Sequence, residues 1–257
     1  MPVNYFDKFC FNCYHINMLR KALNVLADII YPKACLACKK QLKAVTCVDN
    51  LVCMQCWAKI KRNPPPFCHS CGRHLEKPLK NICPACIRKQ FHFDRAFSPC
   101  VYEGVLKELI HAFKYQGKDY LGPTLTRLMT EFIEEYNLPM DILDLVIPVP
   151  LHKTRLRERE FNQAQILTNH IARRFNKKVS HDNLTRLRLT KTQTELEIDE
   201  RLLNVKGSFM ATKKEDIKGK NILLVDDVLT TGATCSEAAY ALKDAGANIV
   251  FVLTLAN

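Results

Sequence analysis

Two groups of residues have the types and spacing for chemistry. The first lies in "NILLVDDVLTTGAT", residues 221–234, where a mostly apolar run ends in Asp226 and Asp227. Thr230, Thr231, Gly232, Ala233 and Thr234 follow, and then a helical pattern. Backbone N–H groups and threonine hydroxyls at a helix start form a cradle for a monophosphate. Two carboxylates beside an anion site conflict with it, so they need a separate task. An acid after an apolar strand also fits the Mg²⁺-holding strand of a nucleotide triphosphatase, which requires GxxxxGK[ST] elsewhere. The GK dipeptides here, Gly117-Lys118 and Gly219-Lys220, are followed by Asp119 and Asn221 with no glycine five residues earlier, which argues against that chemistry.

The second group is the cysteines. Of thirteen, ten fall in five CxxC doublets: Cys10/Cys13, Cys35/Cys38, Cys53/Cys56, Cys68/Cys71 and Cys83/Cys86. Cys38 and Cys53 are separated by fourteen residues, and Cys71 and Cys83 by eleven. Two such knuckles fold onto each other and present four thiolates tetrahedrally to Zn²⁺. Four cysteines leave no position for water, so two closed structural sites are expected, and the spacing alone leaves their pairing open between sequential and interleaved. Cys47 is expected to be a spectator, Cys10/Cys13 an unliganded doublet, and His69 and His74 are not needed as ligands.

Composition sets the frame. With 257 residues, 47% hydrophobic and 25% charged, the chain is long enough for one large domain or two smaller ones. The most apolar N-terminal stretch is broken by Arg20, Lys21 and Asp28, so neither a membrane span nor a signal peptide is expected, and the reading is a soluble cytoplasmic protein. Of the net charge of +12, residues 1–93 carry +11. That asymmetry points to a polyanionic partner for the first third. Lys39, Lys40, Lys43, Lys59, Lys61 and Arg62 are the candidate nucleic-acid contacts, interleaved with Trp57, Phe67, Phe91 and Phe93. Cations that track a backbone and rings that stack on bases suit single-stranded nucleic acid. The competing reading makes the rings a thin ribbon core and the lysines a solvated face.

The elements that must position these groups divide the chain at 1–32, 33–93 and 94–257. The first is an extension ending in a helix with Leu19, Leu23, Leu26 and Ile30 on one face, stopped by Pro32. The second is the cysteine-dense segment, too thin in apolar residues to pack without metal. In the third, strands are expected in "RAFSPCVYEG", "DLVIPVP", "NILLVDDV" and "ANIVFVLTLA". Helices are expected in "VLKELIHAFKYQGK", Leu121–Tyr136, "REFNQAQILTNHIARRFN" and Cys235–Ala245, and Leu184–Leu203 shows no clear period. Strands alternating with helices give an α/β fold with a parallel sheet covered on both faces.

"LLVDDVLTTGAT" resembles the phosphoribosyl-diphosphate (PRPP) signature of type I phosphoribosyltransferases. The order "YPKACLAC", paired CxxC knuckles, "FKYQGK", "VIPVPLHKTRLREREFNQA", "QTELEIDERLLNVKGSF" and that signature resembles the ComF family of competence proteins, over about residues 26–257. The resemblance implies a double zinc ribbon followed by a type I phosphoribosyltransferase-like sheet flanked by helices. It implies that Asp226 and Asp227 accept hydrogen bonds from the cis 2′,3′-diol of ribose, and that Thr230, Thr231, Gly232, Ala233 and Thr234 bind the 5′-phosphate. It implies a pyrophosphate loop with Lys153 and Arg155, a cleft lined by Lys114, Arg159, Asn162 and Gln163, and a mobile loop over 185–204 with Gln193 and Arg201. Magnesium would arrive with PRPP on its pyrophosphate. Glu160 stands where the family commonly has glycine.

Two functions from different classes follow. In the first, the chain acts in DNA uptake, its basic ribbon region binding single-stranded DNA and its α/β domain binding PRPP, with other competence or DNA-processing proteins as further partners. The alternative is a phosphoribosyltransferase in base or nucleotide salvage with purely structural zinc, separated from the first by acceptor-dependent release of pyrophosphate. No residue is assigned a catalytic role.

Overall fold

A computed structural model describes residues 33–43, 46–77, 81–189 and 205–257. The expected helix before Pro32, the Cys10/Cys13 doublet, Gln193 and Arg201 lie outside the described residues. The chain divides into two compact units, Met1–Trp57 and Ala58–Asn257. Within the first, a two-residue antiparallel hairpin joins β1 (Cys47–Val48) to β2 (Val52–Cys53), and helix α1 (Met54–Ala58) begins directly after it. Asp49 and Asn50, both at positive φ, make the turn; these are residue types that tolerate the left-handed region.

The second unit is built on a five-stranded sheet. Its strands are β3 (Arg95–Phe97), β4 (Leu145–Pro148), β5 (Lys178–Val179), β8 (Asn221–Val228) and β9 (Ile249–Ala256), in the spatial order β3-β9-β8-β4-β5. Every pairing is parallel. The near-continuous apolar runs of β4, β8 and β9 agree with burial on both faces. Along β8, Ile222 and Leu224 join a core with Val250, Val252 and Leu242, so Leu223 and Val225 point to the other face.

Helices α2 (Gly104–Tyr115), α3 (Gly122–Glu135), α4 (Lys153–Arg159), α5 (Gln163–Arg174), α6 (Lys214–Ile217) and α7 (Ala233–Asp244) complete the unit. The expected helices at 105–117, 121–136 and 235–245 form within a few residues of those bounds. The expected helix in "REFNQAQILTNHIARRFN" starts at Gln163, and α4 precedes it as a separate turn. Gly122 lets α3 meet α5, because a Cβ there would lie 2.3 Å from Cγ2 of Ile166. The stretch with no clear period contains β6 (Leu184–Arg186), paired antiparallel with β7 (Phe209–Ala211).

The second cysteine quartet belongs to this same unit. Cys68, Cys71, Cys83 and Cys86 are buried in one cluster with Ile147, Leu224, Ala238 and Leu242 of the α/β core. The ribbon therefore has an apolar floor that its own sequence lacks. Phe93 is 5% exposed and stacks on Phe91, while Phe67 packs edge-on to Phe132 and Tyr136. These three rings pack against the α/β unit and not in a core of the ribbon's own. No helix among the described residues is long and apolar enough to cross a membrane.

Candidate functional site

The two central strands β4 and β8 end side by side, with Pro148 opposite Val225. Ligands of open α/β sheets bind beyond the carboxyl ends of strands, and both sequence-predicted loops issue from this edge. Asp226 and Asp227 are in the last turn of pleat of β8. The chain then runs through Leu229–Gly232 into α7. Gly232 caps the helix at φ 81°. A side chain there would be strained by that φ and would also meet the Phe91 ring, 2.6 Å from an added Cβ. The Thr231 hydroxyl accepts from the Ala233 N–H at 3.4 Å. The loop is thus held in a tight turn that leads directly into the first turn of a twelve-residue helix.

The two acids have different surroundings. Asp227 is 7% exposed, and its Oδ1 is 2.7 Å from Nζ of Lys114, in the last turn of α2. Burial alone would lower the Lys114 ammonium, but Asp227, with Asp226 behind it, outweighs that and holds it above its usual value. Asp226 accepts from the Asp227 N–H at 2.8 Å, and its Oδ2 faces Sγ of Cys235 at 3.8 Å. Burial, reinforced by the Asp227 charge, pushes its carboxyl up to about 7 against the pull of Lys114 and Arg186. Burial likewise raises the Cys235 thiol well above its ordinary value, so it faces Asp226 as an S–H donor. The site therefore presents one carboxylate paired with a cation and one whose carboxyl is pushed up to about 7.

The side facing α4 and α5 is cationic. Arg159 reaches Oε1 of Gln163 at 3.2 Å and the Tyr115 hydroxyl at 3.1 Å, with its guanidinium 4.8 Å from that ring's centre. Arg155 pairs with Glu158 at 2.9 Å, and Lys153 is exposed at the start of α4. Asn162 caps α5 by accepting from the Ala164 N–H, and its amide donates to the Val149 carbonyl at the end of β4. Gln163, 1% exposed, donates to the Phe113 carbonyl. Asn162 and Gln163 hold the loop after β4 to the sheet and to α2, while Lys114, Arg155 and Arg159 supply charge. Glu160 ends α4 in the left-handed region at φ 66°, a conformation that glycine adopts without cost.

Sequence reasoning missed Arg186 on β6. Its guanidinium lies 5.2 Å from the Phe209 ring centre. Burial lowers its pKa, with Asp226 opposing and Arg155 and Arg159 adding to the shift, so four groups share one electrostatic neighbourhood. The signal was weak: one strand of three residues inside a polar stretch.

The cysteines form two closed quartets, Cys35/Cys38/Cys53/Cys56 and Cys68/Cys71/Cys83/Cys86, the sulfurs of each within 4.8 Å of one another. The sequential pairing is the one that forms. Cys38 and Cys53 sulfurs are 3.8 Å apart, and Cys71 and Cys83 3.7 Å. A tetrahedron with Zn–S bonds of about 2.3 Å has edges of about 3.8 Å, so the spacing fits zinc. The same N–H···S bond recurs in both: Cys53 N–H to Cys35 Sγ at 3.4 Å and Cys83 N–H to Cys68 Sγ at 3.3 Å. Cys47 stands outside its quartet, its thiol 3.5 Å from the Asn50 side-chain oxygen. Of the basic candidates, Lys61 pairs with Glu103 at 3.2 Å and Arg62 with Glu131 at 2.9 Å. Lys39 donates to the Leu36 carbonyl, and Lys40, Lys43 and Lys59 are exposed.

Comparison with known proteins agrees with this geometry. Residues 26–87 match the double zinc ribbon domain and residues 163–257 the phosphoribosyl transferase domain. Competence protein ComFC of Bacillus subtilis is 32% identical over 205 residues, covering 77% of this chain and 80% of that protein. Competence protein F of Haemophilus influenzae is 29% identical over 225 residues, covering 86% and 96%. DNA utilization protein YhgH of Escherichia coli K12 is 29% identical over 209 residues, covering 79% and 89%. With 32% identity over most of both chains to the Bacillus subtilis protein, the protein belongs to the ComF family of competence proteins.

Proposed function

We propose that this protein acts in DNA uptake, binding PRPP at the carboxyl edge of its sheet and single-stranded DNA through its basic ribbon region. One observation carries the PRPP reading: an acid pair and a phosphate cradle occupy the same strand end, with guanidinium groups across the cleft. Asp226 and Asp227 accept from the ribose diol. Thr230–Thr234 and the α7 N-terminus receive the 5′-phosphate. Lys153, Arg155 and Arg159, with Arg186, face the pyrophosphate, and Lys114 orients Asp227 through its ion pair. Magnesium, when PRPP brings it, neutralises part of the pyrophosphate charge. The carboxylates therefore serve neutral hydroxyls, which removes their conflict with the adjoining cradle.

The DNA reading rests on the +11 charge of residues 1–93 and on relatives named for competence and DNA utilization. Because Phe67, Phe91 and Phe93 are packed inward, the contact is to phosphates through Lys39, Lys40, Lys43 and Lys59, with Lys61 and Arg62 already paired to acids. Calorimetry with PRPP and Mg²⁺ tests the first claim. The wild type binds and the Asp226→Ala/Asp227→Ala double variant does not; equal affinities would reject the site. Pyrophosphate release that depended on an added base or amine would instead favour the salvage enzyme.

A further inference from the structure

The phosphate cradle has no cation of its own, as no Lys or Arg occurs between Asp226 and Thr234. A phosphate monoester carries about −1.5 to −2 at neutral pH. The nearest acids on the same strand add negative potential, and Lys114 is committed to Asp227. The cations Arg155 and Arg159 belong to the opposite loop. N–H groups and hydroxyls at a helix start hold a phosphate, and a charged donor beside them adds a stronger, charge-assisted contact.

The second ribbon approaches this loop directly. Lys89 donates from Nζ to the Thr231 carbonyl at 3.4 Å. The Phe91 ring fills the space where a Gly232 side chain would stand. The His92 N–H donates to the Ser236 hydroxyl at 3.1 Å, and the Asn257 amide to the Cys71 carbonyl at 3.2 Å. Between ribbon and loop is a cleft lined by Arg73 and Lys89 on one side and by Thr230, Thr231 and Gly232 on the other. Both cations follow a zinc-quartet cysteine closely, Arg73 two residues after Cys71 and Lys89 three after Cys86. The Arg73 carbonyl accepts from the Cys68 N–H, and the Lys89 N–H donates to the Cys86 carbonyl.

We infer that the second zinc ribbon completes the phosphate site, with Lys89 and Arg73 as the cations for the 5′-phosphate of the phosphoribosyl ligand. This inference rests on the PRPP reading and adds to it. Cys68, Cys71, Cys83 and Cys86 would hold the zinc that fixes the two knuckles, the knuckles place Lys89 and Arg73 at the loop, and the transferase fold borrows from the ribbon the positive charge its signature lacks. The ribbon is then part of the ligand site as well as a folded appendage.

The test uses the full zinc-loaded chain, titrated with ribose 5-phosphate and separately with inorganic pyrophosphate. Lys89→Met/Arg73→Met is expected to weaken ribose 5-phosphate by tenfold or more, as loss of charge-assisted contacts of at least about 1.4 kcal/mol implies. Pyrophosphate, held by the α4 side, keeps its wild-type affinity. Lys89→Arg in a wild-type background retains ribose 5-phosphate binding, since it keeps the charge. Unchanged ribose 5-phosphate affinity in the double variant would overturn the inference and leave the PRPP site standing. Equal loss of both ligands would also overturn it, by showing an effect through the fold. A wild type that binds neither ligand would reject the PRPP reading itself.

Discussion

Replacing Asp226 by Asn should change how stability depends on pH. The Asp226 carboxyl titrates at about 7 in the folded protein, against 3.8 ordinarily, because burial and the Asp227 charge disfavour its ionised form. A raised acid pKa means that the folded state holds the proton more tightly than the unfolded state. The associated stability is present below the unfolded value and is lost as pH rises through about 7. Between pH 5 and 7 two units of this interval are crossed, worth at most about 3 kcal/mol at about 1.4 kcal/mol per unit. Asp226 is only partly buried at the cleft mouth, so water reduces the effect to on the order of 1–2 kcal/mol. Asn keeps the acceptor for the Asp227 N–H but does not titrate. Urea denaturation of both zinc-loaded proteins at pH 5, 6, 7 and 8 gives the comparison, because thiolate and zinc terms occur equally in each. Wild type should lose stability relative to Asp226→Asn as pH rises from 5 to 8. Parallel curves would refute the reasoning that burial of this acid is a standing cost of the site.

Other outcomes follow from the same geometry. Lys114→Met leaves Asp227 buried without its cation and should destabilise the protein by about 2–4 kcal/mol, read by urea denaturation at pH 7.5, with PRPP binding lost in calorimetry. Glu160→Gly relieves a left-handed non-glycine residue and should stabilise by up to about 1 kcal/mol, seen as a higher denaturation midpoint with unchanged slope. Stripping zinc with a chelator should expose the apolar floor beneath the second quartet, so a hydrophobic dye should bind and near-ultraviolet dichroism should fall. Affinity for single-stranded DNA should fall steeply with salt, and neutralising Lys39, Lys40 and Lys43 should flatten the slope of log K against log salt by about 2.

The strand "NILLVDDV", the cradle after it and the helix that receives it were legible because apolar run, acids, turn residues and helix start are contiguous. The four cysteine doublets were legible for the same reason, and their spacing fixed the ligand chemistry. Their pairing was not, since interleaved and sequential arrangements use the same spacings. What escaped depends on contacts between distant residues. Lys114 could be named from its motif, but its hold on Asp227 arises only when α2 ends over β8. Arg186 comes within electrostatic range of Asp226 because Leu184–Arg186 pairs with Phe209–Ala211, across a stretch whose sequence has no period. Phe67, Phe91 and Phe93 read equally as stacking platforms or core, and only the α/β unit beneath them decides for core. Asn162 and Gln163 read as ligands, yet their side chains are engaged in capping α5 and in tying Val149 and Phe113 together.

The central claim is that the acid pair reads the ribose diol while the loop beside it reads the phosphate. Titration of wild type and of Asp226→Ala/Asp227→Ala with ribose 5-phosphate and 2-deoxyribose 5-phosphate tests it directly, since the two ligands differ by one hydroxyl. Wild type should prefer ribose 5-phosphate by about tenfold, the value of a hydrogen bond to a charged acceptor, and the double variant should bind both equally weakly. A wild type indifferent to the 2-hydroxyl, or a double variant that kept the preference, would contradict the account.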